Sequence, residues 1–130
     1  MDVNWLAVFL AALSAFVLGG LWYGPLFGKA WQGQMGLSDE QLKKGNMGLI
    51  FGGAFVLALL AAWFFAMFLG RDPGLGFATG VGFGSGLLWV SGTLGILYLF
   101  GRRPMKLWLI DAGYCTGQFT LFGAILGALG

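Results

Sequence analysis

The sequence predicts an all-α membrane protein, a four-transmembrane-helix bundle with a short interfacial or cytoplasmic helix between helices 1 and 2. Hydrophobic residues make up 58% of the chain and charged residues only 9%, whereas soluble domains carry about 25% charged residues. Four apolar runs are each long enough to cross a bilayer, which takes roughly 20 helical residues. Nearly all the cations lie in two of the connections. We therefore expect one integral membrane domain over residues 1–130.

The four spans are expected at about residues 3–23, 47–69, 74–100 and 106–129. The first span has Trp5 at one end and Trp22 with Tyr23 at the other, as amphipathic rings lie at the two headgroup levels of a membrane. Pro25 follows and is expected to stop this helix. The third run is longer than a straight crossing needs, so we expect it to tilt or to bend at a glycine.

The connection over residues 25–46 contains the pattern of a helix N-terminus. Ser38 is followed three residues later by Gln41, which is the spacing of a capping box. Lys43 and Lys44 come next, where cations favour the C-terminus of a helix. We expect a helix of about one to two turns here, close to the membrane surface.

The cations predict the orientation in the membrane. Six of the seven Lys and Arg residues lie in the first and third connections, and they are Lys29, Lys43, Lys44, Arg102, Arg103 and Lys106. The second connection has only Arg71. Because cytoplasmic loops carry an excess of Lys and Arg, we expect both basic loops in the cytoplasm and both termini on the periplasmic or extracellular side.

The spacing of the glycines predicts close helix packing. Gly76, Gly80 and Gly84 recur at four-residue intervals in the third span, as do Gly113 and Gly117 in the fourth. Small residues at this spacing let helix backbones approach closely in lipid. Another side of the third span carries the small residues Thr79, Gly82, Gly86 and Thr93. We therefore expect the third span to be central, and we expect the protein to self-associate into a homo-oligomer.

Asp111 is the only ionisable side chain that lies clearly inside an apolar run. On a helix it shares a face with Tyr114 and Gln118, and a carboxylate within a bilayer is costly unless it has a role. One hypothesis is that Asp111 binds a proton, a cation or a small solute in a cytoplasm-facing cavity, with Tyr114 and Gln118 as neighbours. The other is a structural clamp between the first and fourth spans. The candidate partners in that clamp are the Trp22 Nε1, the Tyr23 hydroxyl, Lys29 and Lys106.

The composition argues against several kinds of site. The chain has no histidine and a single cysteine, Cys115, which excludes disulfide frameworks, Cys/His zinc sites and histidine acid–base catalysis. The remaining acids lie outside the apolar runs, so no carboxylate pair is visible for catalysis. We expect no enzyme activity, no cofactor and no metal. The net charge of +2 gives no reason to expect nucleic acid as a partner.

Three stretches of the chain resemble one family. They are Asn-Trp-Leu-Ala-Val at 4–8, Leu-Trp-Tyr-Gly-Pro-Leu-Phe-Gly-Lys-Ala-Trp at 21–31 and Lys-Leu-Trp-Leu-Ile-Asp-Ala-Gly-Tyr at 106–114. Over essentially its whole length the chain is similar to the bacterial membrane proteins grouped as a domain of unknown function, family 1761, and the second stretch is the most specific part. The resemblance implies four spans and a place in the bacterial inner (plasma) membrane, and it implies no activity.

Two function hypotheses from different classes follow. The leading one is a small, self-associating integral protein that binds or passes a small solute or ion through the bundle that carries Asp111. The alternative is an accessory or scaffolding protein that recruits a partner or anionic lipid through its basic cytoplasmic loops. A membrane enzyme that acts on a lipid or quinone is a third, which the absence of histidine and of paired acids disfavours.

Overall fold

The computed structural model describes residues 3–129. Within this range the structure is helical and has no strand, and four helices are long and apolar enough to cross a membrane. These helices, called the first to fourth spans below, are Trp5–Leu26, Met47–Leu69, Leu75–Phe100 and Met105–Leu129. The predicted all-α fold with four transmembrane helices is confirmed.

Two short helices connect the first span to the second. The first of them, Gly28–Met35, ends at Gly36, whose positive φ of 70° turns the chain out of the helix. The second, Asp39–Lys43, begins with the predicted capping box. Its Gln41 N–H donates to the Ser38 Oγ at 3.1 Å, and the Ser38 N–H donates to the Gln41 Oε1 at 2.8 Å. The predicted short helix between helices 1 and 2 is thus confirmed.

The first span ends at Leu26, one residue after Pro25, and not at about Tyr23 as expected. The α-helix Trp5–Leu21 continues as a π-helical turn, Trp22–Leu26, which contains the proline. The Phe27 N–H donates to the Trp22 carbonyl, five residues earlier, at 2.8 Å. A proline has no N–H for the bond to the fourth residue before it. Because a π turn joins residues five apart, the helix passes the proline without that bond.

The fourth span is the centre of the bundle, whereas the sequence pattern favoured the third. No residue from 110 to 127 is exposed, and each of the other three spans contacts this helix. The third span packs along the fourth, and its opposite side faces outward. Small residues lie on two sides of the third span, and a sequence pattern alone does not tell which of the two faces lipid.

Glycines bring the third and fourth spans into close contact. A Cβ on Gly82 would overlap the Phe119 carbonyl oxygen, and a Cβ on Gly123 would overlap that of Ala78. The two backbones therefore touch directly, which is the function of small residues at helix interfaces in lipid.

The predicted packing glycines divide into two groups. In the fourth span, a Cβ on Gly113 would lie 2.6 Å from the Trp22 ring, and one on Gly117 would lie 3.0 Å from a methyl group of Leu18. In the third span, a Cβ on any of three glycines would meet no atom within 4 Å, and these are Gly76, Gly80 and Gly84. This second group makes no close contact within the described residues. In the third span, Gly82 and Gly86 make the close contact with the fourth span instead.

The second span is peripheral and packs on the first through aromatic pairs. Trp5 stacks on Trp63 with ring centres 6.3 Å apart, and Phe16 meets Phe51 edge to face at 6.0 Å. At its beginning the second span leaves the bundle, since every residue from 46 to 52 is exposed. An open cleft between the first two spans results.

Candidate functional site

Asp111 of the fourth span accepts hydrogen bonds from tyrosines on two other spans. The Tyr23 hydroxyl, in the π-helical turn of the first span, donates to the Asp111 Oδ1 at 2.6 Å. The Tyr98 hydroxyl, near the end of the third span, donates to the Oδ2 at 2.5 Å. All three side chains are partly buried. One carboxylate therefore links three of the four spans, and we call these three residues together with Tyr114 the Asp111 cluster.

The two tyrosines are suited to hold this side chain within the bundle. A phenol hydroxyl donates a hydrogen bond, and a carboxyl group removed from water needs such donors. Tyr23 and Tyr98 supply one donor to each oxygen of Asp111. They thus compensate part of the cost of placing a carboxyl group among the spans.

Two tryptophans fix the helix turn that precedes Asp111. The Trp22 Nε1 donates to the Ile110 carbonyl at 2.8 Å, so Trp22 and the adjacent Tyr23 hold two consecutive residues of the fourth span. The Trp108 Nε1 donates to the Ser91 carbonyl at 2.9 Å, and this links the fourth span to the third. The ring of Trp22 fits here because Gly113 has no side chain.

Tyr114 supports Tyr23 and does not bond to the carboxylate. Its hydroxyl donates to the Ala15 carbonyl at 3.1 Å, and its ring meets that of Tyr23 edge to face with centres 5.4 Å apart. All three tyrosines of the chain are thus gathered around Asp111. Gln118 is not brought to the carboxylate, since it lies two helical turns further on, a rise of about 10 Å.

The sequence analysis identifies only part of this arrangement. Of the four partners considered for a clamp, Tyr23 bonds to Asp111, while the Trp22 Nε1 bonds to a backbone carbonyl. Lys29 and Lys106 are exposed. Tyr98, which the sequence reasoning does not identify, supplies the second bond. The feature of the sequence that could have identified Tyr98 is the short connection over residues 101–104. This connection sets the last turns of the third span beside the first turns of the fourth.

Tyrosines of the cluster line two clefts. The larger, with a volume of about 480 Å³, lies between the first and second spans and includes Tyr23 and Tyr114 in its wall. The smaller, with a volume of about 310 Å³, lies beside the end of the third span, where Tyr98, Arg103 and Trp108 line it. Tyr23 and Tyr98 thus stand between the carboxylate and the two clefts.

The chemistry available at this site is that of one carboxyl group with two hydroxyl donors. Within residues 3–129, no three side chains of His, Cys, Asp or Glu lie close enough together to hold a metal ion. An ionised carboxylate has about four acceptor positions, and the two tyrosines use two of them. Asp111 can therefore accept further hydrogen bonds, from a cation or from a proton carrier.

Comparison with known proteins identifies the family of the chain. No curated protein and no solved structure matches it. The model of a family described as proteins of unknown function, DUF1761, matches residues 6–127, a range that includes the whole Asp111 cluster. Since this match covers nearly the entire chain, the protein belongs to the DUF1761 family, as the resemblance of its motifs predicts.

Proposed function

We propose that the protein is a small inner-membrane protein that binds, and passes, a small cation or cationic solute at the Asp111 cluster. The observation that carries this proposal is the meeting of three spans at one carboxylate that keeps free acceptor positions. In the proposed orientation, with the basic loops in the cytoplasm, the cluster lies toward the cytoplasmic end of the bundle.

The charge of the site favours a cation over other solutes. Asp111 is the only acid within the four spans, and its partners there are neutral hydroxyls. Attraction between charges is several times stronger near a protein surface than in bulk water, and stronger again in the interior. A cation that reaches Tyr23 therefore approaches a carboxylate whose direct partners are neutral hydroxyls. The cleft beside Tyr98 is less favourable, because the guanidinium of Arg103 also lines it.

Self-association forms part of the proposal. The stripe of Gly76, Gly80 and Gly84 is open on the outer side of the third span, and small residues at four-residue spacing are typical of helix contacts between chains in lipid. A second copy at this stripe would enclose more of the bundle than one chain does.

Replacing Asp111 by asparagine tests the proposal. Asparagine has the shape of aspartate and can accept a bond from one tyrosine while donating to the other, so we expect the variant to fold, with a stability between those of the natural protein and an Asp111→Leu variant. Removing the charge is expected to lower the protein-dependent flux of H⁺, Na⁺, K⁺ or methylammonium into proteoliposomes by about tenfold or more. A tenfold loss corresponds to about 1.4 kcal/mol of binding free energy for the cation.

Glu40→Gln is the matched control, because it removes one negative charge from an exposed position in a short helix outside the spans. Its flux should equal that of the natural protein. A flux that Asp111→Asn leaves unchanged would remove the acid from the mechanism.

The second candidate function is that of an accessory or scaffolding protein. The observation in its favour is that the six cations of the two basic loops are all exposed, and exposed cations beside a span attract anionic lipid. In this case, purification in a mild detergent should return a stable complex with a different protein, or with anionic lipid. Isolation as a homo-oligomer alone would count against it.

A further inference from the structure

The cleft between the first and second spans owes its depth to glycines. Gly20 and Gly24, one helical turn apart, form part of its floor, and a Cβ on either would meet no atom within 4 Å. The opposite wall is the end of the second span that leaves the bundle, where Ile50 and Phe51 are exposed. The result is a cleft of about 480 Å³, within the range of about 300–1,000 Å³ typical of small-molecule sites.

Aromatic rings surround this cleft. Phe16 and Phe51 line it from the first and second spans, and Tyr23 and Tyr114 line it beside the cluster. Aromatic faces attract organic cations, and cages of such rings recognise quaternary ammonium groups. The cleft therefore has walls that suit a cation with an apolar body.

A negative charge lies directly behind this wall. Tyr23 lines the cleft and at the same time donates its hydroxyl to the Asp111 Oδ1 at 2.6 Å. The carboxylate is thus one side chain away from the cleft.

We propose that this cleft binds lipophilic organic cations, with the apolar body between the first two spans and the cationic group against Tyr23, close to the Asp111 carboxylate. This inference rests on the proposed function and names its solute class. Apolar walls cannot replace the hydration shell of an inorganic ion, and a neutral or anionic molecule would gain nothing from the charge. A monovalent amine or ammonium with an aromatic or aliphatic body satisfies both the walls and the charge.

The test uses two probes of the same shape, benzyltrimethylammonium and its neutral isostere neopentylbenzene. Binding of each to the full chain in detergent micelles is measured by calorimetry against empty micelles. The proposal expects the ammonium to bind at least tenfold more tightly than the isostere, and it expects Asp111→Asn to abolish this difference. Equal binding of the two probes would show a cleft for apolar molecules or lipid chains only, and would overturn the proposal.

Filling the cleft locates the site. Gly20→Leu places a side chain in the cleft and is expected to weaken binding of the ammonium at least tenfold. Gly92→Leu is the matched control, because Gly92 is equally free of neighbours on the third span, away from the cleft and outside the stripe proposed for self-association, and it should leave binding unchanged. If Gly20→Leu does not fold, Ala54→Trp fills the same cleft from the second span.

The outcomes separate this inference from the proposed function. Loss of binding in Asp111→Asn together with normal binding in a folded, cleft-filling variant would overturn the cleft and leave the charge at Asp111 as the site. If neither Asp111→Asn nor the cleft-filling variant changes binding of the ammonium, the inference and the proposed function are both overturned. Loss of binding in both variants, with normal binding in the Gly92→Leu control, supports both the inference and the proposed function.

Discussion

Replacing Gly82 by alanine is expected to lower the free energy of unfolding by about 3 kcal/mol, the upper part of the usual range for overpacking. The added Cβ would overlap the Phe119 carbonyl oxygen of the fourth span. A backbone atom in a helix cannot turn aside as a flexible side chain can, so the third and fourth spans must move apart. The contact between these spans runs along the helix that forms the centre of the bundle. Unfolding in mixed micelles, followed by circular dichroism, measures the loss.

Gly92→Ala is the control for this substitution. It makes the same chemical change in the same span, at a position outside the proposed self-association stripe where a Cβ meets no atom within 4 Å. We expect it to be neutral or to stabilise the protein by up to about 1 kcal/mol, since alanine is the better helix former. Equal destabilisation by the two substitutions would contradict the close approach at Gly82.

Replacing Asp111 by leucine is expected to cost about 3 kcal/mol of unfolding free energy, because two hydrogen bonds to a charged group, each worth about 1.5–3 kcal/mol, are lost and only partly compensated. The hydroxyls of Tyr23 and Tyr98 lose their acceptor, and three spans lose their common link. Neutral hydrogen bonds between helices in membranes contribute only about 0.6 kcal/mol on average, so a large effect indicates a charged acceptor. The same unfolding experiment measures it.

Asp111→Asn is the control, since the amide keeps hydrogen bonding to both tyrosines while losing the charge. Its stability should lie between those of the natural protein and the leucine variant. A leucine variant as stable as the natural protein would show that the carboxylate does not hold the spans together.

Much of the fold follows from local properties of the sequence. The spans are set by the length of the apolar runs, and the helix Asp39–Lys43 by a capping box whose two bonds involve residues three apart. Gly113 and Gly117 likewise lie where small residues in a helix predict contact. For the spans and the short helix the physical cause acts within one helix, so the sequence contains it in full.

The features that the sequence analysis misses depend on contacts between helices. Pro25 predicts a helix end, whereas a π turn includes the proline and extends the first span to Leu26. The contacts of Trp22 and Tyr23 with the fourth span are likewise not visible in the pattern of one helix. The two small faces of the third span are equivalent in the sequence, and the fourth span packs on the one that carries Gly82. Tyr98 looks like one more aromatic residue near a membrane interface until the short turn places it beside Asp111.

The most direct test of the central claim, that one carboxylate joins three spans, is a double-mutant cycle on unfolding free energy. Tyr23→Phe and Tyr98→Phe remove only the hydroxyls that donate to Asp111. Each is expected to cost about 1.5 kcal/mol in the natural protein and close to nothing in the Asp111→Leu background, where the acceptor is already gone. Equal losses in the two backgrounds would contradict the bonds on which the account depends.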